Sequence, residues 1–171
     1  MVDLDGTGIQ TTSLDNGVIF DYSGDGNPVQ TAWAAPGDGL LVRDLNGNGR
    51  IDNGSELFGS FTRLKNGEQA ANGCQALAEL DVNKDGIVDR NEASKAGILI
   101  WRDSNSNGIA DPGELLTFAQ AGIMSIETGF TESSDVDANG NPLRWQGSFI
   151  RSDGSRGSAI DVLFVTGPVM K

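Results

Sequence analysis

The chain has 171 residues, enough for one ordinary domain or two small ones sharing a core. Its 24 acidic and 12 basic residues give a formal net charge of −12, which argues against nucleic acid as a partner; with no histidine, Ser-His-Asp and Cys-His catalysis and the usual zinc sites are excluded. Hydrophobic residues make up 37% and glycines number 24, so turns and loops must form much of the molecule, and no apolar run nears the ~18 residues that a membrane span requires.

In chain order, Met1-Val2 leads into DLDGTGI at 3–9 with no visible signal peptide, as though cut from a longer chain. VIF at 18–20 has strand length and composition, and DYSGDGN follows at 21–27. LLV at 40–42 precedes DLNGNGRIDNGSE at 44–56, with a turn expected around 55–60. A helix is predicted over 73–80, with Cys74, Leu77, Ala78 and Asp81 on one face; Cys74, the single cysteine, reads there as a small buried hydrophobe. DVNKDGIVDRNE at 81–92, a short helix over 91–96 and the strand ILIW at 98–101 come next. DSNSNGIADPGEL at 103–115 runs into a predicted helix over 114–121 that Gly122 ends, before the strand IMSI at 123–126. After DVDANGN at 135–141, LRWQGSFIR and GSAIDVLFV flank Ser152-Asp153-Gly154, a hairpin signal. The expected fold is α+β: one compact domain over 1–171 of short strands and short helices around EF-hand-like loops. Within it, 1–72 form an N-terminal loop and strand part, 73–122 an EF-hand-like loop pair, and 123–171 C-terminal strands and the hairpin.

The acidic loops carry the chemistry. In an EF-hand loop, positions 1, 3 and 5 give side-chain oxygens and position 6 is glycine. Position 7 gives a main-chain carbonyl, position 9 acts often through water, and position 12 gives a bidentate carboxylate. Residues 81–92 match throughout with Asp81, Asn83, Asp85, Gly86, Ile87, Asp89 and Glu92. Residues 103–114 match with Asp103, Asn105, Asn107, Gly108, Ile109, Asp111 and Glu114, but one charge among the first three ligands predicts weaker binding. Residues 44–56 keep register at Asp44, Asn46, Asn48, Arg50 and Asp52, while Glu56 falls at position 13, which a backbone bulge can accommodate. The runs Asp3/Asp5/Thr7, Asp21/Ser23/Asp25 and Asp135/Asp137/Asn139 lack a downstream glutamate at the right distance, so each must recruit a distant oxygen or is only an Asx-rich turn. Four or five Ca²⁺ would add about +8 to +10 and nearly cancel the acidic excess.

Asp111-Pro112 is the only Asp-Pro bond in the chain and sits inside a metal loop. Cutting there would separate Glu114 from the other ligands, so the metal reading is preferred to a cleavage reading. Ten residues between Glu92 and Asp103 are too few for the two helices of a sensor EF-hand pair.

The order DLDGTGIQTTSL, DNGVIFDYSGDGNPVQTAW, DGLLVRDLNGNGRIDNGSELFG, ALAELDVNKDGIVD and ILIWRDSNSNGIADPGELLT resembles the self-processing module of RTX (repeats-in-toxin) proteins of Gram-negative bacteria, over about residues 2–128. The nonapeptide repeats of the RTX β-roll are absent. The resemblance implies a secreted, monomeric module that about three to five Ca²⁺ ions fold. It implies a single-turnover autoproteolytic activity on an Asp-Pro bond just upstream of residue 1. There the aspartate side chain attacks its own carbonyl to give a cyclic anhydride, which a lysine amine of another protein can open to an isopeptide. The partners implied are the chain's own upstream segment and that lysine. No catalytic residue is then assigned within the chain, and Asp3, Asp5 and Asp21 lie nearest the bond to be cut. Two other readings stand beside it: a structural or adhesive calcium module without processing, and a dockerin-like binding unit suggested by the 22-residue spacing from Asp81 to Asp103.

Overall fold

The short apolar runs between the acidic loops have too few residues to bury themselves locally, and they acquire ladder partners from distant parts of the chain. The computed structural model describes residues 1–169. Its elements are β1 (Val2–Asp3), β2 (Val18–Phe20), β3 (Val29–Thr31), β4 (Asp38–Arg43), α1 (Gly73–Ala78), β5 (Ile87–Asp89), α2 (Arg90–Ala96), β6 (Ile98–Trp101), β7 (Leu115–Leu116), β8 (Ile123–Glu127), β9 (Thr131–Val136), β10 (Pro142–Arg151), β11 (Arg156–Val162) and β12 (Thr166–Gly167). Two 3₁₀ turns lie at Leu14–Asn16 and Gly54–Glu56.

Nine strands form one sheet in the order β5-β8-β10-β11-β1-β4-β6-β7, with β9 added on β10; β12-β3-β2 form a second. Every strand pairing is antiparallel. β1 lies between β11 and β4, with Val2 opposite Ala159 on one side and Gly39 on the other, and Asp3 opposite Asp38. The turn through Ser152-Asp153-Gly154 joins β10 to β11, with Gly154 at φ 84° and its N–H donating to Arg151 O.

Among the described residues two large apolar clusters and a small one of Leu64, Ala70 and Ala76 hold the molecule. In the first, Trp33 is fully buried against Phe20, Trp101 and Phe164, with ring centroids 5.0, 5.3 and 5.7 Å away. In the second, Val2, Val88, Ile100, Phe149 and the β8 residues Ile123 and Ile126 pack with Ala93 of α2. Aromatic burial of this kind contributes through area and through the tilted and edge-to-face contacts that ring quadrupoles favour.

These features overturn the α+β expectation. The regular structure is mostly antiparallel strand, and the two α-helices among the described residues span six and seven residues. β5, which contains positions 7 to 9 of the 81–92 loop, pairs with β8 (Val88 opposite Ile126) and not with the 103–114 loop, so there is no EF-hand pair. The predicted helix over 114–121 is a strand followed by a turn. Leu115 and Leu116 pair with Trp101 and Ile100, and only one helical turn follows, closed by Ala121 N–H to Thr117 O at 2.9 Å and by Gly122 at φ 71°. The physical reason is that a ladder with an already buried strand covers both leucines' backbone, which an isolated two-turn helix could not offset.

The loops are docked on one another by main chain. Gly54 N–H donates to Asp21 O at 2.8 Å, and a Cβ on Gly54 would stand 1.8 Å from Tyr22 O. Gly54→Ala should therefore cost about 1–3 kcal/mol, or roughly 2–10 °C in melting temperature, because a main-chain oxygen cannot rotate away. A thermal melt matching the parent protein would show that this approach is absent in solution.

Candidate metal centre

Each loop is organised by its first aspartate, whose carboxylate accepts main-chain N–H groups three to five residues ahead. Asp44 accepts from Gly47, Asn48 and Gly49 at 2.7, 3.2 and 2.7 Å, and Asp21 from Gly24, Asp25 and Gly26 at 2.9, 3.1 and 2.9 Å. Asp81 accepts from Asp85 and Gly86, Asp103 from Asn107 and Gly108, and Asp3 from Gly6. The turn requires left-handed backbone at position 4. Glycine supplies it in three loops, but Lys84 (φ 58°) and Ser106 (φ 54°) adopt it despite their side chains.

Three loops are closed alike by a buried glutamate that bridges positions 2 and 9. Glu92 accepts from Val82 at 2.8 Å and Asp89 at 3.2 Å, and Glu114 from Ser104 at 2.8 Å and Asp111 at 3.2 Å. Glu56 accepts from Leu45 at 2.9 Å and Asp52 at 2.7 Å, so the extra residue in this loop leaves its closure unchanged. The side chains at positions 3 and 5 repeat as well. Asn46, Asn83 and Asn105 each accept the N–H two residues on, and Asn48, Asp85 and Asn107 accept those of Arg50, Ile87 and Ile109.

Position 9 divides the loops. Asp52 accepts from the amide groups of Asn46 and Asn48 at 2.8 and 2.7 Å, and Asp111 from those of Asn105 and Asn107 at 2.9 Å each. These amides hold the Asp111 carboxyl below the usual carboxylate range. Asp89 instead caps α2, accepting from Asn91 and Glu92 in a capping box. In the first loop Thr7 donates to Asp5 through its hydroxyl at 2.7 Å and its amide at 2.9 Å, which lowers the Asp5 carboxyl. Ser23 and Asp25 lie on the exposed 21–27 loop, where the Asn27 N–H lowers the Asp25 carboxyl.

The loop predicted from Asp135 is displaced. Asp135 lies in β9, and the turn starts at Asp137, whose Oδ1 accepts from Asn139 at 2.8 Å and Asn141 at 2.9 Å. Asn141 is fully buried and its amide reaches Thr11 Oγ1 at 2.8 Å. This loop is thereby tied to the N-terminal segment, where the Thr11 hydroxyl also donates to the Asp137 carboxylate.

Sequence reasoning missed two residues. Trp33 donates its indole N–H to buried Asp103 at 2.8 Å, linking the aromatic cluster to the 103–114 loop; 70 residues separate the two, so no local pattern could reveal it. Asp38, 2% exposed, accepts from Gln10 N–H at 2.7 Å through Oδ2, and its Oδ1 is the one buried side-chain oxygen or nitrogen without a partner among the described residues. Burial pushes Asp38 up to about 6; the Gln10 N–H opposes this, and the charges of Asp3 and Asp5 add to it. Cys74 is half-buried on α1 and its thiol is pushed up to about 11 by burial, which makes it a poor nucleophile.

The donors are hard oxygens of carboxylate, amide and main chain, the set Ca²⁺ prefers. Among the described residues, however, no three His, Cys, Asp or Glu side chains converge on one point. The loop carboxylates are occupied by N–H donors, and some asparagines present their NH₂ end to position 9. In donor chemistry and spacing the loop residues match what that ion prefers. The orphan oxygen of Asp38 fits a cation more directly.

A family model described as the SPM domain matches residues 1–165. The chain is also similar to the iron-regulated protein FrpA of Neisseria meningitidis serogroup C, with 43% identity over 164 residues. That alignment covers 95% of this chain and 15% of the relative, so the chain spans a small part of that protein's length.

The two indole contacts give a paired test. Trp33→Phe keeps an aromatic ring but leaves the Asp103 carboxylate short of one donor, and should cost about 1–3 kcal/mol in chemical denaturation. Trp101→Phe removes a longer bond, 3.3 Å to Glu114, and should cost less. The reverse order would remove the Trp33–Asp103 contact from its place as the main tie between core and loop.

Proposed function

This chain belongs to the SPM domain family, and on that premise we propose that it is a calcium-folded module of a secreted RTX protein that promotes cleavage of an Asp-Pro bond just ahead of its first residue. The observation that carries the reading is the placement of β1. It is the central short strand of the large sheet, its Met1 nitrogen is 2.6 Å from Ile160 O, and the acidic loop from Asp3 follows at once. A peptide bond a few residues upstream would thereby be held beside the acidic loop that begins at Asp3. Met1 also borders a cavity with Gly73, Cys74 and Asp161, where Asp161 accepts from Gly73 N–H at 2.6 Å and burial raises its carboxyl.

Bound calcium would supply positive charge that neutralises the loop carboxylates and orders the backbone around β1. The chain's own part is to hold the upstream aspartate in place. That side-chain carboxyl, in its protonated form, attacks its own main-chain carbonyl carbon, a C–O bond forms, the C–N bond to proline breaks, and the carboxyl proton passes to the proline nitrogen, which leaves as a secondary amine. The product is a five-membered cyclic anhydride on the upstream fragment. Water opens it to aspartate, or a lysine amine of another protein opens it to an isopeptide. Proline suits this step because its tertiary amide has the weaker planar preference, and the neighbouring carboxyl acts at high effective concentration. No side chain of this chain is given the role of nucleophile.

The negative charge of the loops predicts self-repulsion when metal is withheld. Circular dichroism should report loss of order on chelation and cooperative recovery with micromolar to millimolar Ca²⁺, and an unchanged spectrum would count against a calcium-folded module. Asp81→Ala or Glu92→Ala should lower calcium affinity and melting temperature together, and Asp135→Ala should have much less effect.

The processing step is tested by mass spectrometry of a chain extended with an Asp-Pro ahead of Met1. Cleavage there should require calcium, and no fragment should end at Asp111, whose carboxylate is engaged by Asn105 and Asn107 and stays ionised. Calcium-dependent folding with no cleavage in the extended chain would leave the structural, non-processing module as the function. Calcium-stimulated cleavage at Asp111-Pro112 would move the reactive site into the loop.

A further inference from the structure

The first acidic loop differs from the three glutamate-closed loops: Asp15, at the position 13 that Glu56 holds in the 44–56 loop, is exposed on the 3₁₀ turn and does not close it. From Asp3 onward the loop offers Asp5 at position 3 and Thr7 at position 5, and then neither Asp nor Glu until Asp15. The sheet brings a carboxylate from elsewhere: β4 is registered so that Asp38 lies opposite Asp3. Asp38 Oδ2 accepts the N–H of Gln10, which is position 8 of this loop, at 2.7 Å. In the closed loops the glutamate binds the N–H of position 9 with one oxygen. Asp38 thus stands where a closing glutamate would stand, but it arrives from a different strand.

We propose that Asp38 closes a divalent-cation site, filled by Ca²⁺, with Asp3, Asp5 and Thr7 of the first loop. The second observation is the Asp38 Oδ1 atom, buried with no hydrogen-bond partner in a residue 2% exposed. A carboxylate oxygen left so costs free energy that a cation removes. The neighbourhood is strongly negative: Asp3 and Asp38 are buried side by side, and the chain at Gly37 is packed so closely on Asp5 that a Cβ there would be 2.2 Å from Asp5 Oδ2. Arg151, 3.6 Å from Asp3 Oδ2, is the positive side chain in contact, and its guanidinium also donates to Leu4 O at 2.9 Å and Asp3 O at 2.6 Å. Three carboxylates against one guanidinium leave about two negative charges, which suits a divalent ion with oxygen ligands. The three carboxylates do not meet at one point among the described residues. Asp5, exposed and accepting from Thr7, is the side chain that has to move inward to complete the site.

This inference rests on the calcium reading of the chain but not on its processing activity. It is tested by native mass spectrometry, counting calcium ions bound at saturation by the parent protein, Asp38→Asn, Asp5→Asn and the double variant. Each single variant should lose one ion, the same ion, so the double variant also lacks only one; Glu92→Gln, in another loop, should add a further loss to any of them. A full complement on Asp38→Asn would overturn the site while leaving the calcium reading intact. No calcium on the parent protein would remove both. If Asp38→Asn fails to fold, the exposed Asp5→Asn variant decides: loss of one ion with an unchanged circular dichroism spectrum supports the site, and full occupancy overturns it.

Discussion

A carboxylate at the head of a glycine-rich turn has to be held, and in this protein the main chain holds it. Asp21, Asp44, Asp81 and Asp103 each draw together N–H groups four and five residues ahead, so a loop of no regular secondary structure acquires a defined shape. The partial positive charge of those N–H groups offsets part of one carboxylate but not the excess that a net charge of −12 concentrates in the loops. The rest of the architecture anchors these loops: short strands run between them, and the strands find partners far away in sequence.

The anchoring is unequal. The 103–114 loop is fastened to the aromatic cluster through Trp33 and Trp101, whose N–H groups reach Asp103 and Glu114 from within the core. The 44–56 loop is fastened through main chain, by Gly54 against the 21–27 loop. The 81–92 loop carries β5 into the large sheet and Asp89 into the cap of α2. A ligand that ordered any one loop would therefore stiffen a different part of the fold, and all of them meet at the sheet that contains β1.

The antiparallel architecture also explains why helical expectations fail where they do. The Leu115–Leu116 pair and the apolar spacing through Phe118 and Ala119 read as a helix because the local pattern cannot distinguish a helical face from a strand followed by a turn. Phe118 is buried in either case, and the difference is that Trp101 and Ile100 were available as ladder partners. The shift of the last loop from Asp135 to Asp137 has a similar origin. Two overlapping Asx-type registers exist in DVDANGN, and pairing of Val136 with Pro142 in the sheet selects one.

Local chemistry therefore settled the loops, and the tertiary structure settled what surrounds them. The spacing of Asp, Asn, Gly and Glu in 44–56, 81–92 and 103–114 dictated which N–H groups meet which oxygens, because a turn closed within about a dozen residues depends on little beyond its own backbone. The turn at Ser152-Asp153-Gly154 was legible for the same reason. What no local pattern contained was the order of strands, the seating of Trp33 on Asp103, and the arrival of Asp38 opposite Asp3 from 35 positions along the chain. Those depend on which apolar runs bury one another, a competition among many strands of similar length and composition that only the assembled sheet resolves.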